Sequence, residues 1–383
     1  MAGPFQGVLV IEAASYVAGP YAAMLLGELG ADVIKIESPA GGDPSRSWSH
    51  GDRSPWFAAH NAAKRSLTLD LRSAETRTVL SRLVCRADVL IQNKRPGVAE
   101  RLGLGYEQLS EVNPRLVYCA VSAAGPTGGR AGQPGFDSVG QALSGLMSLI
   151  SSPEDSAPIG PPLADTVAGL TAAFGISAAL HARASTGRGQ RVDTSLLAAG
   201  LGLVREALTL YARTGLVLDR HSRARVAQAY LFRCADGRSL VVHLSSAPKF
   251  WQAFVMAVGR GDLGADPRYL TRENRIREYD SIRQQLAPVF GSAPREEWLR
   301  RLEEADVPCA PVHDVDHVLA DPEVSGVLLP LADDPVGPLL SFDGASTAPF
   351  RPVPALGEHT DEILAELGYD QAQIEQLRAK SLI

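Results

Sequence analysis

The first forty residues constrain the fold of this chain more than any other segment. Val8 to Ile11 is a short apolar run, and Pro20 stands where a first helical position falls. Tyr21 to Leu29 carries strong helix formers, Gly30 stops the helix, and Val33 to Ile36 is a second apolar run ending in Glu37. Two buried strands joined by a crossover helix predict a β-α-β unit, and therefore a parallel sheet. The pattern recurs. Ser66 to Leu71 alternates apolar and polar residues as a half-buried strand does, and Ser73 to Arg86 is amphipathic, with Val79, Leu80, Leu83 and Val84 on one face. Val89 to Ile91 and Leu116 to Val121 read as further strands, separated by the turn-rich stretch Lys94 to Gly105. Helices are predicted at Ser138 to Leu149, at the Ala- and Gly-rich stretch Asp165 to Arg183, and at Leu196 to Tyr211.

With 383 residues the chain is long enough for more than one domain. The composition turns polar and basic around Gly215 to Arg225, which reads as a linker. A second region runs from Val226 to about Val312. Tyr230 to Cys234 and Ser239 to Leu244 flank Ala235-Asp236-Gly237-Arg238, where Asp-Gly signals a hairpin. Helices follow at Lys249 to Val258, Ile276 to Phe290 and Arg295 to Glu304. Proline-rich segments then lead to Leu356, and a helical tail covers Asp361 to Leu377.

A net charge of −6 and a pI near 5.8 argue against a nucleic-acid partner, which calls for a basic surplus or stripe. The longest apolar stretch, Leu196 to Val204, is far short of the ~20 residues of a membrane span. Cys85, Cys119, Cys234 and Cys309 form no CxxC pair and read as reduced thiols. The start of the chain lacks a signal-peptide pattern, so a cytoplasmic location is expected.

His313-Asp314-Val315-Asp316-His317 has histidines at i and i+4, a spacing that can hold zinc. Structural sites need four ligands and no others are suggested, so Asp314 reads better as a helix N-cap and no metal site is predicted. The turn after the first strand, Glu12 to Pro20, lacks the GxGxxG that admits a pyrophosphate, which weakens a nicotinamide reading. Lys94, Arg95 and Arg101 follow the strand at Val89, and Arg72 follows the strand at Leu69. Cations at the carboxyl ends of parallel strands suit phosphates, although solvated surface explains them equally well. Asp165 lies after Pro161-Pro162, at the start of a helix whose dipole favours an ionised carboxylate there. Helix capping and carboxylate nucleophile both fit it.

Seven segments decide between these readings. They are Ala18-Gly19-Pro20-Tyr21-Ala22, Leu29 to Glu37, Lys64 to Leu71, Asn93 to Gly97 with Arg101-Leu102-Gly103, Asn113 to Tyr118, Thr186-Gly187-Arg188-Gly189-Gln190, and Leu356-Gly357-Glu358-His359-Thr360. In this order and spacing the chain resembles the class III CoA-transferases, the family of formyl-CoA transferase and the carnitine CoA-transferase, along nearly its whole length. The resemblance implies an α/β fold. A Rossmann-like large domain is made from residues 1–200 and 330–383. A linker at 201–225, a smaller α+β domain at 226–312 and a second linker at 313–329 complete the chain, and two such chains interlock as a homodimer. It also implies that Asp165 is the nucleophile and that coenzyme A, as acyl-CoA, is a substrate, with a carboxylic acid as the other partner and no tightly bound cofactor. Family CoA contacts fall on Val17, Ala18, Ser38, Leu69, Arg72, Asn93, Lys94, Arg95, Arg101, Phe136 and Asp137. Backbone amides at the start of the Asp165 helix, or the Ser245-Ser246 loop, are expected to hold the oxyanion.

Four departures bear on specificity. Ser38 stands in place of an arginine, Lys94 at a commonly aromatic position, and His243-Leu244-Ser245-Ser246 in place of a glycine-rich loop. Phe136 stands where racemases of the superfamily carry a histidine, and racemisation needs two opposed bases, so transfer is expected over a CoA-ester racemase or epimerase. A non-catalytic CoA-binding protein would have no use for Asp165.

Overall fold

The computed structural model of the chain describes residues 3–49, 54–152, 154–155, 157–158, 160–245, 247–325, 339–340, 342–343 and 351–383. The chain divides into two compact units, one formed by residues 1–147, 153–206 and 325–383, the other by 148–152 and 207–324.

The larger unit is built on a sheet of six parallel strands: β1 (Leu9–Ala13), β2 (Asp32–Glu37), β3 (Lys64–Thr68), β4 (Val89–Gln92), β5 (Val117–Ser122) and β6 (Arg191–Ser195). Their order is β3-β2-β1-β4-β5-β6. Neighbouring residues on each strand face opposite ways, which gives the sheet two cores. Val10, Val33, Val89 and Val117 pack with the helices Ala18–Glu28 and Leu163–Thr186 on one face. Ile11, Ile34, Leu67 and Leu90 pack on the other with the helix Ala74–Arg86 and the two final helices, Thr360–Glu366 and Gln371–Ala379. The end of the chain thus completes the core begun at its start.

Strand β1 passes to β2 on one side, while β4 lies on the other. The order therefore reverses between β1 and β4, and a crevice is expected at their carboxyl ends. The 24-residue helix Leu163–Thr186 borders it. Length and composition alone would let this helix cross a bilayer; here Ala164, Ala168, Ala172 and Ile176 pack into the sheet core. Gly169 permits that approach, since a Cβ there would lie 2.8 Å from the Ala18 carbonyl oxygen.

The smaller unit carries an antiparallel sheet of β7 (Ala229–Arg233), β8 (Ser239–His243) and β9 (Cys309–Pro311). Gly237, at φ +77°, makes the turn between the first two. Helices Pro248–Ala257, Tyr279–Phe290 and Arg295–Glu304 cover it, around a core of Tyr230, Phe232, Trp251, Phe254, Phe290 and Trp298.

Several expectations change. The strand expected to be half-buried at Ser66 to Leu71 is β3, two residues earlier and buried throughout. Its polar side chains find partners inside: Lys64 donates to the carbonyls of Pro20 and His60, and the Ser66 hydroxyl to Glu37. Strand β6 escaped notice because Arg191–Ser195 contains no apolar run. The helix expected over Leu196 to Tyr211 divides into Leu196–Leu203 and Arg205–Thr214. Residues 201–225, which the resemblance implies are linker, are therefore partly helical, with a further helix at Ser222–Ala227; Arg205–Thr214 buries none of its residues. The terminal tail also divides, with Gly368 at φ +84° and a capping box on Asp370 that starts the last helix.

Candidate active site

Asp165 sits in the first turn of the helix Leu163–Thr186. Asp137, the first residue of the helix Asp137–Ser144, reaches this turn from outside it: its Oδ1 accepts from the amides of Ala164 at 2.8 Å and Asp165 at 3.1 Å. The other two amides of the turn donate to the carbonyls of Pro161 and Pro162. The helix start is thus already satisfied, by a carboxylate and two prolines. This corrects the expectation that its amides hold an oxyanion. The Ser245 amide is equally committed, donating to the Ala227 carbonyl, and Ser246 lies outside the described residues.

The expectation that the helix dipole keeps Asp165 ionised at neutral pH holds only for part of the population. Burial, followed by the charge of Asp137, pushes its carboxyl up to about 7. Desolvation and a like charge outweigh a dipole that contributes about 1 kcal/mol.

Asp165 opens on a cavity of about 560 Å³ at the predicted switch point. The loop after β1 and the loop after β4 form its walls and are clamped together. Asn93 Nδ2 donates to the Ser15 carbonyl at 2.7 Å, and its Oδ1 accepts from the Ser15 amide at 3.0 Å. Tyr16 follows at φ +71°, a conformation costing a side-chain-bearing residue about 1–2 kcal/mol. Its amide points at both oxygens of Asp43, 3.2 Å away. Asp43 is held in turn by Lys35 at 3.0 Å, and Lys35 by Glu12 at 2.6 Å. A fully buried ion chain thereby fixes the loop lining the cavity.

Of the residues singled out from the sequence, Val17, Ala18, Asn93, Lys94, Arg95, Phe136 and Asp165 line this cavity. A second cavity of about 360 Å³ shares Ser15, Pro44 and Lys94 with the first, and is lined by Ser38, Leu69 and Arg72. Arg72 is exposed and bound by Asp70 at 2.8 Å. Arg95 and Arg101 are exposed. Arg101 and Asp137 line neither cavity. Sequence reasoning missed Tyr16 and Asp43. The second had a signal in Gly41-Gly42-Asp43-Pro44, where Asp before Pro marks a tight turn. Away from this site, Asp314, Asp316 and His317 do approach one another at the surface, but His313 pairs with Asp321 at 3.1 Å instead of joining them.

Fold and cavity place the molecule among α/β proteins that take their ligand where the strand order reverses. Residues 5–360 match the model of CoA-transferase family III, and the chain belongs to that family, whose substrates are CoA thioesters. It is 34% identical over 324 residues to the acetyl-CoA:oxalate CoA-transferase of Acetobacter aceti, covering 82% of each chain. It is 31% identical over 396 residues to the succinyl-CoA–D-citramalate CoA-transferase of Chloroflexus aurantiacus, covering 99% of this chain and 98% of that one. A crystal structure of a CAIB/BAIF family protein from Brucella suis matches with a TM-score of 0.85 at 32% identity, over 96% of this chain and 100% of that one.

Proposed function

We propose that this protein moves CoA from an acyl-CoA to a free carboxylic acid, with Asp165 as covalent carrier. The ionised Asp165 oxygen attacks the thioester carbonyl, the C–S bond breaks, and CoA leaves as thiolate from an acyl-aspartyl anhydride. The thiolate attacks the aspartyl carbonyl, expelling the donor acid and leaving an aspartyl-CoA thioester. The acceptor carboxylate attacks that thioester, again releasing thiolate, and a second anhydride forms. Thiolate then takes the acceptor acyl group and frees Asp165. Each step exchanges one activated acyl bond for another, so covalent catalysis proceeds without ATP.

The observation that carries the reading is a single carboxylate, raised to about 7, opening on the cavity at the sheet's reversal point. A basic carboxylate is a stronger nucleophile than an ordinary one, and a recessed one is shielded from the water that would hydrolyse its anhydride. Val17, Ala18, Ser38, Leu69, Asn93 and Phe136 then contact CoA, and the exposed guanidiniums of Arg72, Arg95 and Arg101 take its phosphates. Phe136, which cannot act as a base, lines the Asp165 cavity, and this favours transfer over racemisation. The same reading includes an interlocked homodimer and a cytoplasmic location, where four free cysteines are at home.

The test is CoA exchange between an acyl-CoA and a panel of free acids, followed by chromatography of the CoA esters. Asp165→Ala is expected to lose turnover by at least about 10³-fold while binding CoA normally. Retained turnover rejects Asp165 as the carrier.

A further inference from the structure

The buried ions toward the carboxyl ends of β1 and β2, joined by Lys64 from the start of β3, balance in charge. Glu12, Glu37 and Asp43 face Lys35, Lys64 and Arg46, with every pair within 3.0 Å. Lys94 lies beside this cluster as a fourth cation, and among the described residues no carboxylate pairs with it. Its Nζ makes one hydrogen bond, to Ser15 Oγ at 3.3 Å. The residue is half-buried, and burial followed by the charge of Lys35 pulls its pKa down against the weaker upward pull of Asp43 and Glu12. Its backbone is fixed, because the Lys94 amide donates to the buried Gln92 Oε1 at 2.6 Å and the preceding Asn93 is clamped to Ser15. A half-buried ammonium with unused protons, held on a rigid wall, is a site for an anion.

We propose that Lys94 receives the distal, unreacting carboxylate of a dicarboxylic substrate acid and so sets the acid preference of the cleft. The inference rests on the transferase reading. Lys94 stands where the two cavities meet and lines the cavity of about 560 Å³ together with Asp165, so an anion bound to it from that side shares the chamber of the reacting carbonyl. The carboxylate of a short dicarboxylic acyl group is only a few bonds from that carbonyl, whereas the CoA diphosphate is removed from it by the whole pantetheine arm. The other cation on this cavity, Arg95, is exposed and keeps its water. A monocarboxylic acyl chain would leave the Lys94 ammonium unpaired and would bind less well.

Calorimetry tests this in the Asp165→Asn protein, where no covalent step intervenes, with succinyl-CoA, butyryl-CoA and free CoA as probes. A charge-assisted hydrogen bond corresponds to about 10- to 100-fold tighter binding of succinyl-CoA than of butyryl-CoA. Adding Lys94→Met should erase that preference, the succinyl-CoA affinity falling to that of butyryl-CoA, with an unchanged circular dichroism spectrum showing that the variant is folded. A preference that survives Lys94→Met overturns the proposal. So does an equal loss for all three probes, which would assign Lys94 to the diphosphate. If the Asp165→Asn protein binds none of the three, it is the transferase reading that fails, and the proposal falls with it.

Discussion

Two sites in the larger unit, the buried ionic cluster around Glu12 and the carboxylate of Asp165, show two outcomes of taking carboxylates out of water. In the cluster, burial pulls Lys35 down, but Glu12, Asp43 and Glu37 outweigh it and hold the ammonium above its ordinary range. Burial pushes Glu37 and Asp43 up, yet Arg46 and Lys35 outweigh it and keep both carboxyls below theirs. Asp165 has no ion pair among the described residues. Its nearest charged influence is another carboxylate, and its pKa climbs to about 7. Lys64 is the exception within the cluster, since burial outweighs Glu12 and pulls it down to about 8; for the carboxylates, burial is common to both groups and the missing counter-charge is what sets Asp165 apart. The cluster is scaffold, since it pins Asp43 and through it Tyr16. The unpaired carboxylate is left with chemistry to do.

The comparison breaks most easily at Lys35. Lys35→Met strips Asp43 of its paired cation and leaves Glu12 with Lys64 alone, and should lower stability by about 3–5 kcal/mol in urea unfolding. A loss below about 1 kcal/mol would mean the cluster does not hold the scaffold. Asp165→Asn should act in the opposite direction. Its folded pKa lies above the unfolded one, so its contribution to stability is complete below the usual carboxylate range and is lost as pH rises through about 7. The asparagine variant is expected to melt a few degrees higher at alkaline pH, with the gain shrinking as pH falls toward that range. Equal gains at all pH values would show that Asp165 is not raised. The smallest effect belongs to Asp137→Asn. The carboxamide oxygen still accepts from Ala164 and Asp165, but the like charge is gone. Donor acylation, expected to rise with pH around about 7 as Asp165 ionises, should then rise at lower pH. An unmoved pH profile would remove Asp137 from the electrostatics of the site.

Much of this was legible in the chain. Apolar runs flanking Pro20 and Gly30 reveal the parallel sheet because buried strands must be apolar, and Asp165 stands out as a carboxylate at a helix start. Pairings between distant residues were not legible. Ser66 and Thr68 read as the wet side of a strand, and Lys64 lay outside it, because nothing nearby in sequence says that Glu37, Thr360 and Glu12 will meet them. Asp137 lies 28 positions from Asp165, and only the packed helices show that it caps the turn it also perturbs. The dipole expectation for Asp165 fell short for the same reason: a dipole can be read from one helix, whereas desolvation depends on everything packed around it.

The most direct measurement is peptide mass spectrometry of the protein after incubation with an acyl-CoA and quenching in hydroxylamine, which converts an aspartyl anhydride or thioester into a stable hydroxamate. The account predicts that the hydroxamate forms only when acyl-CoA is present and maps to Asp165. A hydroxamate on another residue, or turnover with no covalent species at any time point, would contradict it.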